Sequence, residues 1–109
     1  MKVVASIGSY RKGKTIDTLM DKAIEGVKEG CNAAEVEKIC LIDRDIQYCR
    51  NCVVCRKDDP AKAIARCPID DDMQEFYPLL DEVDAYIFGT PVNMGAVTAV
   101  MKTFLERIC

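Results

Sequence analysis

Cys49, Cys52 and Cys55 stand at C-x-x-C-x-x-C spacing, and Cys67 follows with Pro68 directly behind it. A tight loop of three thiolates can wrap one side of a metal centre, and a remote thiolate can close it. Two zinc knuckles would need two separated C-x-x-C pairs. Three close cysteines and a distant Cys-Pro are instead the ferredoxin-like arrangement for a [4Fe–4S] cluster. Redox-active thiols, a disulfide and zinc are the competing chemistries. The chain has seven cysteines and no histidine. Dyads, triads and metal sites that need an imidazole are therefore excluded. Cys31 and Cys109 lie outside the pattern, and Cys40 falls in an apolar run where a small buried hydrophobe is expected.

A second constellation suits an anion. Gly8-Ser9-Tyr10-Arg11-Lys12-Gly13-Lys14-Thr15 is rich in small and cationic residues, and it spells G-x-x-x-x-G-K-T. The apolar run Val3–Ile7 precedes it and an amphipathic helix begins near Thr15. Strand, glycine loop and helix aim backbone N–H groups and a positive helix end at a phosphate. A P-loop for a nucleotide triphosphate is one reading, with Ile39-Cys40-Leu41-Ile42-Asp43 as its Walker B-like partner. A solvated basic loop ahead of a helix is the plain one. A third group, Asp70-Asp71-Asp72, reads as helix capping, with Asp72 and Glu75 forming a capping box, or more sharply as a Mg²⁺ site.

The elements that must position these residues follow from periodicity. Ile16, Leu19, Met20, Ala23, Ile24 and Val27 make one apolar stripe, so a core helix is expected over 15–29 with Gly30 as its stop. Glu35–Asp43 reads as a second strand, and strand–helix–strand at this length is a parallel βαβ unit. Residues 44–69 have no sustained periodicity, apart from one helical turn expected over 61–65; so long a connection points to function. Met73, Phe76, Tyr77 and Leu80 share a helical face, which Pro78 is expected to kink. Ala85–Thr90 is a third strand, followed by the turn-rich Pro91-Val92-Asn93-Met94-Gly95. Val97, Val100, Met101, Phe104, Leu105 and Ile108 form a last stripe. Three parallel strands each lead into a loop at the carboxyl end, where open α/β sheets bind ligands.

With 109 residues, a single domain is expected over 1–109, with the cysteine-rich loop at 44–69 inside it. A net charge of −3 argues against a nucleic-acid or membrane-surface partner. No apolar run reaches the length of a membrane span, and the start lacks a signal peptide's layout, so the cytoplasm is the expected compartment. An unpaired edge strand leads us to expect a partner chain or further polypeptide against the sheet.

Taken together, Gly8-Ser9-x-Arg11-x-Gly13-x-Thr15, the C-x-x-C-x-x-C loop, Cys67-Pro68-Ile69-x-Asp71-Asp72-Met73 and Gly89–Gly95 leading to Lys102 and Arg107 resemble the NADPH-dependent FMN reductase family, in particular its cysteine-rich iron–sulfur flavoprotein branch. The resemblance runs along nearly the whole chain, in the family's order. It implies a flavodoxin-like α/β fold, a parallel sheet with helices on both faces, of which this chain matches the N-terminal part with about three strands. It implies an oxidoreductase or electron-transfer flavoprotein that exchanges electrons with NAD(P)H or a protein donor, typically as a homo-oligomer. By motif, Ser9, Arg11, Gly13, Lys14 and Thr15 would hold the FMN phosphate, with Lys12 as a further candidate. Pro91, Val92, Asn93, Met94 and Gly95 would pack along the isoalloxazine ring. Cys49, Cys52, Cys55 and Cys67 would ligate a [4Fe–4S] cluster. No side chain is assigned as a general acid or base. A half-domain without independent activity, completed by a partner chain, and a P-loop nucleotide-binding protein are the alternatives.

Overall fold

A computed structural model describes residues 1–57, 60–61 and 64–108. Its sheet has three parallel strands, β1 (Lys2–Ile7), β2 (Glu35–Cys40) and β3 (Ala85–Gly89), in the order β2-β1-β3. The helices are α1 (Thr15–Gly30), α2 (Met73–Glu82) and α3 (Ala99–Ile108). Beta1 is the centre because it is apolar on both faces: every residue from Val3 to Ile7 is buried. Val3 pairs with Val36 on one side and with Ala85 on the other, and Ile7 pairs with Cys40 and Gly89. This is the strand order expected of a flavodoxin-like sheet, and its direction reverses between β1 and β3.

Alternation along β1 builds two cores. Val4 faces α2 and α3, packing with Phe76, Tyr77, Leu80, Met101 and Phe104. Phe76 and Phe104 meet edge to face at 6.3 Å, the arrangement their ring quadrupoles favour. Ala5 and Ile7 face α1 through Met20, with Ile16, Ile24, Val36 and Ile87 alongside. Across this face Lys38 of β2 bridges Asp17 and Asp21 of α1 at 2.5 and 2.8 Å. These two carboxylates, Asp17 first, raise the pKa of Lys38.

Several expectations are corrected. Beta2 stops at Cys40, and Leu41–Asp43 form a 3₁₀ turn because Leu41 enters the α2–α3 core. Cys40 packs beside the α1 core as a small hydrophobe. The α1 stripe is only half covered: Met20 is buried, but Leu19 is 59% exposed and Ala23 is also exposed. Alpha2 runs through Pro78 without a break, held by buried Tyr77 and Leu80 on either side. The Asp72–Glu75 capping box does not form. Asp71 Oδ1 instead accepts the Met73 N–H at 3.0 Å, Asp72 Oδ2 accepts the Asp45 N–H at 2.7 Å, and Glu75 turns to Arg44. The helical turn expected over 61–65 lies partly outside the described residues. The outer edge of β3 pairs with no strand among the described residues, and its Tyr86 and Phe88 rings stack on an exposed face.

Candidate functional site

The cleft forms where the loops after β1 and β3 meet. Gly8 begins the first loop and donates its N–H to the Gly89 carbonyl at 2.7 Å. A Cβ on Gly8 would lie 2.8 Å from Met101 Cβ and 2.9 Å from Thr98 Oγ1, so only glycine lets α3 approach this closely. Ser9 Oγ accepts the Arg11 N–H at 3.1 Å and donates to the Arg11 carbonyl at 3.2 Å, which folds the loop back on itself. Gly13 adopts φ +69° and donates its N–H to Asp17 Oδ2 at 2.7 Å. Lys38, and then this Gly13 N–H, hold the Asp17 carboxyl below the usual carboxylate range.

Alpha1 then starts at Thr15 with Lys14 as its extended cap residue, and no side chain caps it. Uncapped N–H groups and the helix dipole at this end favour an anion. The two neighbouring lysines part company. Lys14 lines the cleft, whereas Lys12 Nζ lies 2.5 Å from Asp43 Oδ1. This bond raises the Lys12 pKa. It also engages the carboxylate that a Walker B reading would give to Mg²⁺.

The second loop is built by its own hydrogen bonds. Thr90 Oγ1 accepts the Thr98 N–H at 3.2 Å. Asn93 and Ala96 exchange backbone bonds of 2.8 and 3.0 Å around a turn at Met94 and Gly95, both with positive φ. That is the signature of a two-residue primed turn, for which Gly95 is well suited. Pro91 and Asn93 face the first loop, while Val92 and Met94 are 77% and 102% exposed.

The resulting cleft has a volume of about 390 Å³ and is lined by Ser9, Tyr10, Arg11, Lys14, Thr15, Ile16, Pro91 and Asn93. Cations and a helix N-terminus suit a phosphate; an aromatic, an aliphatic and a proline surface suit a flat ring. The residues present therefore fit FMN. A flavin held there would supply hydride and electron transfer, and these residues would bind and orient it. Of the residues assigned from sequence, Ser9, Arg11, Lys14, Thr15, Pro91 and Asn93 line the cleft, Gly13 and Gly95 shape its loops, and Val92 and Met94 point to solvent. Sequence reasoning missed Tyr10 and Ile16 as lining residues. It also missed Thr98, although a threonine at the beginning of an apolar helical stripe is a helix-start signal.

The cysteines are less well gathered. Cys49 and Cys52 are exposed, Cys55 is half-buried, and all described cysteines are free thiols. Asn51 and Val53 take positive φ, and the Asn51 N–H points at Cys49 Sγ at 3.4 Å. Cys67, only 8% exposed, faces the α2–α3 core. Cys52 shares a shallow recess with Pro68 and Ile69. Among the described residues, no three cysteine or carboxylate groups stand together ready for a metal. The thiol chemistry suits a cluster; the observed placement does not assemble one. The Mg²⁺ reading of Asp70–Asp72 fares no better, because Asp71 and Asp72 are committed to Arg107 and the Asp45 N–H.

The model of the NADPH-dependent FMN reductase family matches residues 1–109. An iron-sulfur flavoprotein of Archaeoglobus fulgidus is 36% identical over 108 residues, covering 99% of this chain and 46% of that protein. Iron-sulfur flavoproteins of Methanocaldococcus jannaschii and Methanosarcina thermophila are each 32% identical, covering 98% of this chain and 51% and 52% of their own lengths. The chain thus spans about half the length of these curated relatives. No solved structure gives a significant match. Among the described residues, no helix is long and apolar enough to cross a membrane. With its whole length matched by the family's model, the chain belongs to the NADPH-dependent FMN reductase family.

Proposed function

We propose that this chain binds FMN in the β1–β3 cleft and serves an oxidoreductase or electron-transfer flavoprotein that exchanges electrons with NAD(P)H or a protein donor. One observation carries the reading: Arg11, Lys14 and the uncapped start of α1 converge with Pro91 and Asn93 in one cleft at the sheet's switch point. In this reading the phosphate takes charge-assisted bonds from Arg11 and Lys14 and backbone N–H bonds from the start of α1. Tyr10, Ile16 and Pro91 exclude water from one side of the ring. The assignment of Cys49, Cys52, Cys55 and Cys67 to an iron–sulfur cluster rests on their spacing and on the names of the relatives. It requires the four thiols to converge beyond their present positions.

Anaerobic purification followed by flavin, iron and sulfide quantification on one sample tests both parts. FMN released on denaturation is the predicted result, and a colourless protein that binds Mg²⁺-ATP but no flavin contradicts it. Cys52→Ser should remove iron and its broad visible absorbance while leaving flavin; retained iron excludes Cys52 as a ligand.

A second reading, in which the cleft needs another polypeptide to hold flavin, is favoured by the β3 edge, unpaired among the described residues, with exposed Tyr86 and Phe88. A homo-oligomer is one source of that polypeptide. A monomer that stays flavin-free at high FMN and gains flavin on association supports this second reading.

A further inference from the structure

Alpha3 ends on a buried ion pair, Asp71–Arg107, neither residue of which lines the cleft. Arg107, with no exposed surface, donates from Nη1 to Asp71 Oδ2 at 2.6 Å and from Nη2 to Asp71 Oδ1 at 3.0 Å. Both side chains are wholly buried. A buried pair of this kind is costly to desolvate and adds little net stability compared with an apolar replacement, so its worth lies in the geometry it imposes. That geometry is specific. Arg107 Nη1 also donates to the Gln47 carbonyl at 2.8 Å, and Asp71 Oδ2 accepts the Gln47 N–H at 2.8 Å. Arg107 Nη2 reaches the Ile69 carbonyl at 3.5 Å.

Gln47 precedes Cys49 by two residues and Ile69 follows Cys67 by two. The one ion pair therefore grips both ends of the segment that carries all four patterned cysteines. Gln74 of α2 reinforces the second end, its Nε2 donating to the Cys67 and Ile69 carbonyls, each at 2.7 Å. Tyr77 Oη donates to the Arg107 carbonyl at 2.8 Å and fixes the end of α3 against α2. A guanidinium is needed here, because only a planar fork can serve a carboxylate and two carbonyls at once.

We propose that Asp71–Arg107 is a clamp that closes the cysteine segment at its base and sets where Cys49 and Cys67 stand relative to each other. Arg107 is thus a positioning residue for these thiols. The clamp holds whatever the thiols bind; its bearing on an iron–sulfur cluster rests on the reading above.

The test compares Arg107→Lys and Asp71→Asn with the unaltered chain, using amide hydrogen exchange and alkylation of each cysteine followed by mass spectrometry. In Arg107→Lys, Cys67 alkylation should rise by about tenfold or more and Gln47 amide protection should be lost, as in a local opening. Exchange in β1 and α1, and FMN affinity, should stay within about twofold. Unchanged Cys67 alkylation and Gln47 protection would overturn the clamp. So would a loss of protection spread evenly over β1 and α1, the pattern of plain destabilisation. Should Arg107→Lys fail to fold, Asp71→Asn decides, because it weakens the same pair: faster Cys67 alkylation with loss of Gln47 protection supports the clamp, and no change in either overturns it. If the unaltered chain holds no iron or sulfide while Arg107→Lys still opens the segment, the clamp stands and only the cluster reading fails.

Discussion

Thr98 Oγ1 donates a 2.6 Å hydrogen bond to the Gly8 carbonyl and at the same time faces the Met101 N–H at 3.3 Å. One buried hydroxyl therefore caps α3 and secures Gly8 just beyond β1, where the Gly8–Thr15 loop departs. Thr98→Val keeps the shape and removes both bonds, leaving a buried carbonyl and an uncapped N–H. The expected loss is about 1–3 kcal/mol, read as a lower denaturant midpoint with an unchanged slope. Thr98→Ser should recover most of it. A valine variant as stable as the parent would show that neither bond matters.

Arg11 and Lys12 are neighbours with opposite predicted fates. Arg11 lines the cleft, whereas Lys12 is tied to Asp43. Arg11→Ala should weaken FMN binding by roughly tenfold to a hundredfold, the worth of a charge-assisted bond. Lys12→Ala should change it by no more than about twofold, since its exposed ion pair lies outside the cleft. Flavin fluorescence titration reads both. Equal effects would mean that bulk positive charge, rather than this geometry, attracts the phosphate.

Acid should loosen the fold through Asp71. Burial alone would raise its pKa, but Arg107 and the Gln47 and Met73 N–H groups reverse that, leaving it below the ordinary value. A group with a depressed folded-state pKa stabilises above its unfolded value and loses that contribution as pH falls through the folded one. Stability should hold between about pH 5 and 8 and decline below about pH 4. Asp71→Asn should be less stable at neutral pH and show a shallower acid decline. An unchanged acid slope would assign the titration to another carboxylate.

The parts legible in the sequence were those set by local pattern. The strand before Gly8, the helix from Thr15 and the Pro91–Gly95 turn declare themselves through periodicity and glycine placement, and they are what builds the cleft. What escaped depends on neighbours distant in the chain. Beta2 ends early because Leu41 finds a core made by α2 and α3. Asp71 rather than Asp72 receives the helix N–H because Arg107 and Gln47 already fix its carboxylate. Leu19 belongs to a clean apolar stripe, yet the sheet and loops beneath α1 leave it exposed. The C-x-x-C-x-x-C spacing was plain, but the burial of Cys67 away from the exposed Cys49 and Cys52 is a tertiary fact that spacing cannot carry.

In the function proposed above, the Gly8–Thr15 loop holds the phosphate of a flavin mononucleotide. Side-by-side titration with FMN and riboflavin, which differ by that phosphate alone, tests it most directly. FMN should bind at least about a hundredfold more tightly than riboflavin, and Arg11→Ala should shrink the gap to about tenfold or less. Equal affinity for the two flavins, or a gap that Arg11→Ala leaves untouched, would contradict it.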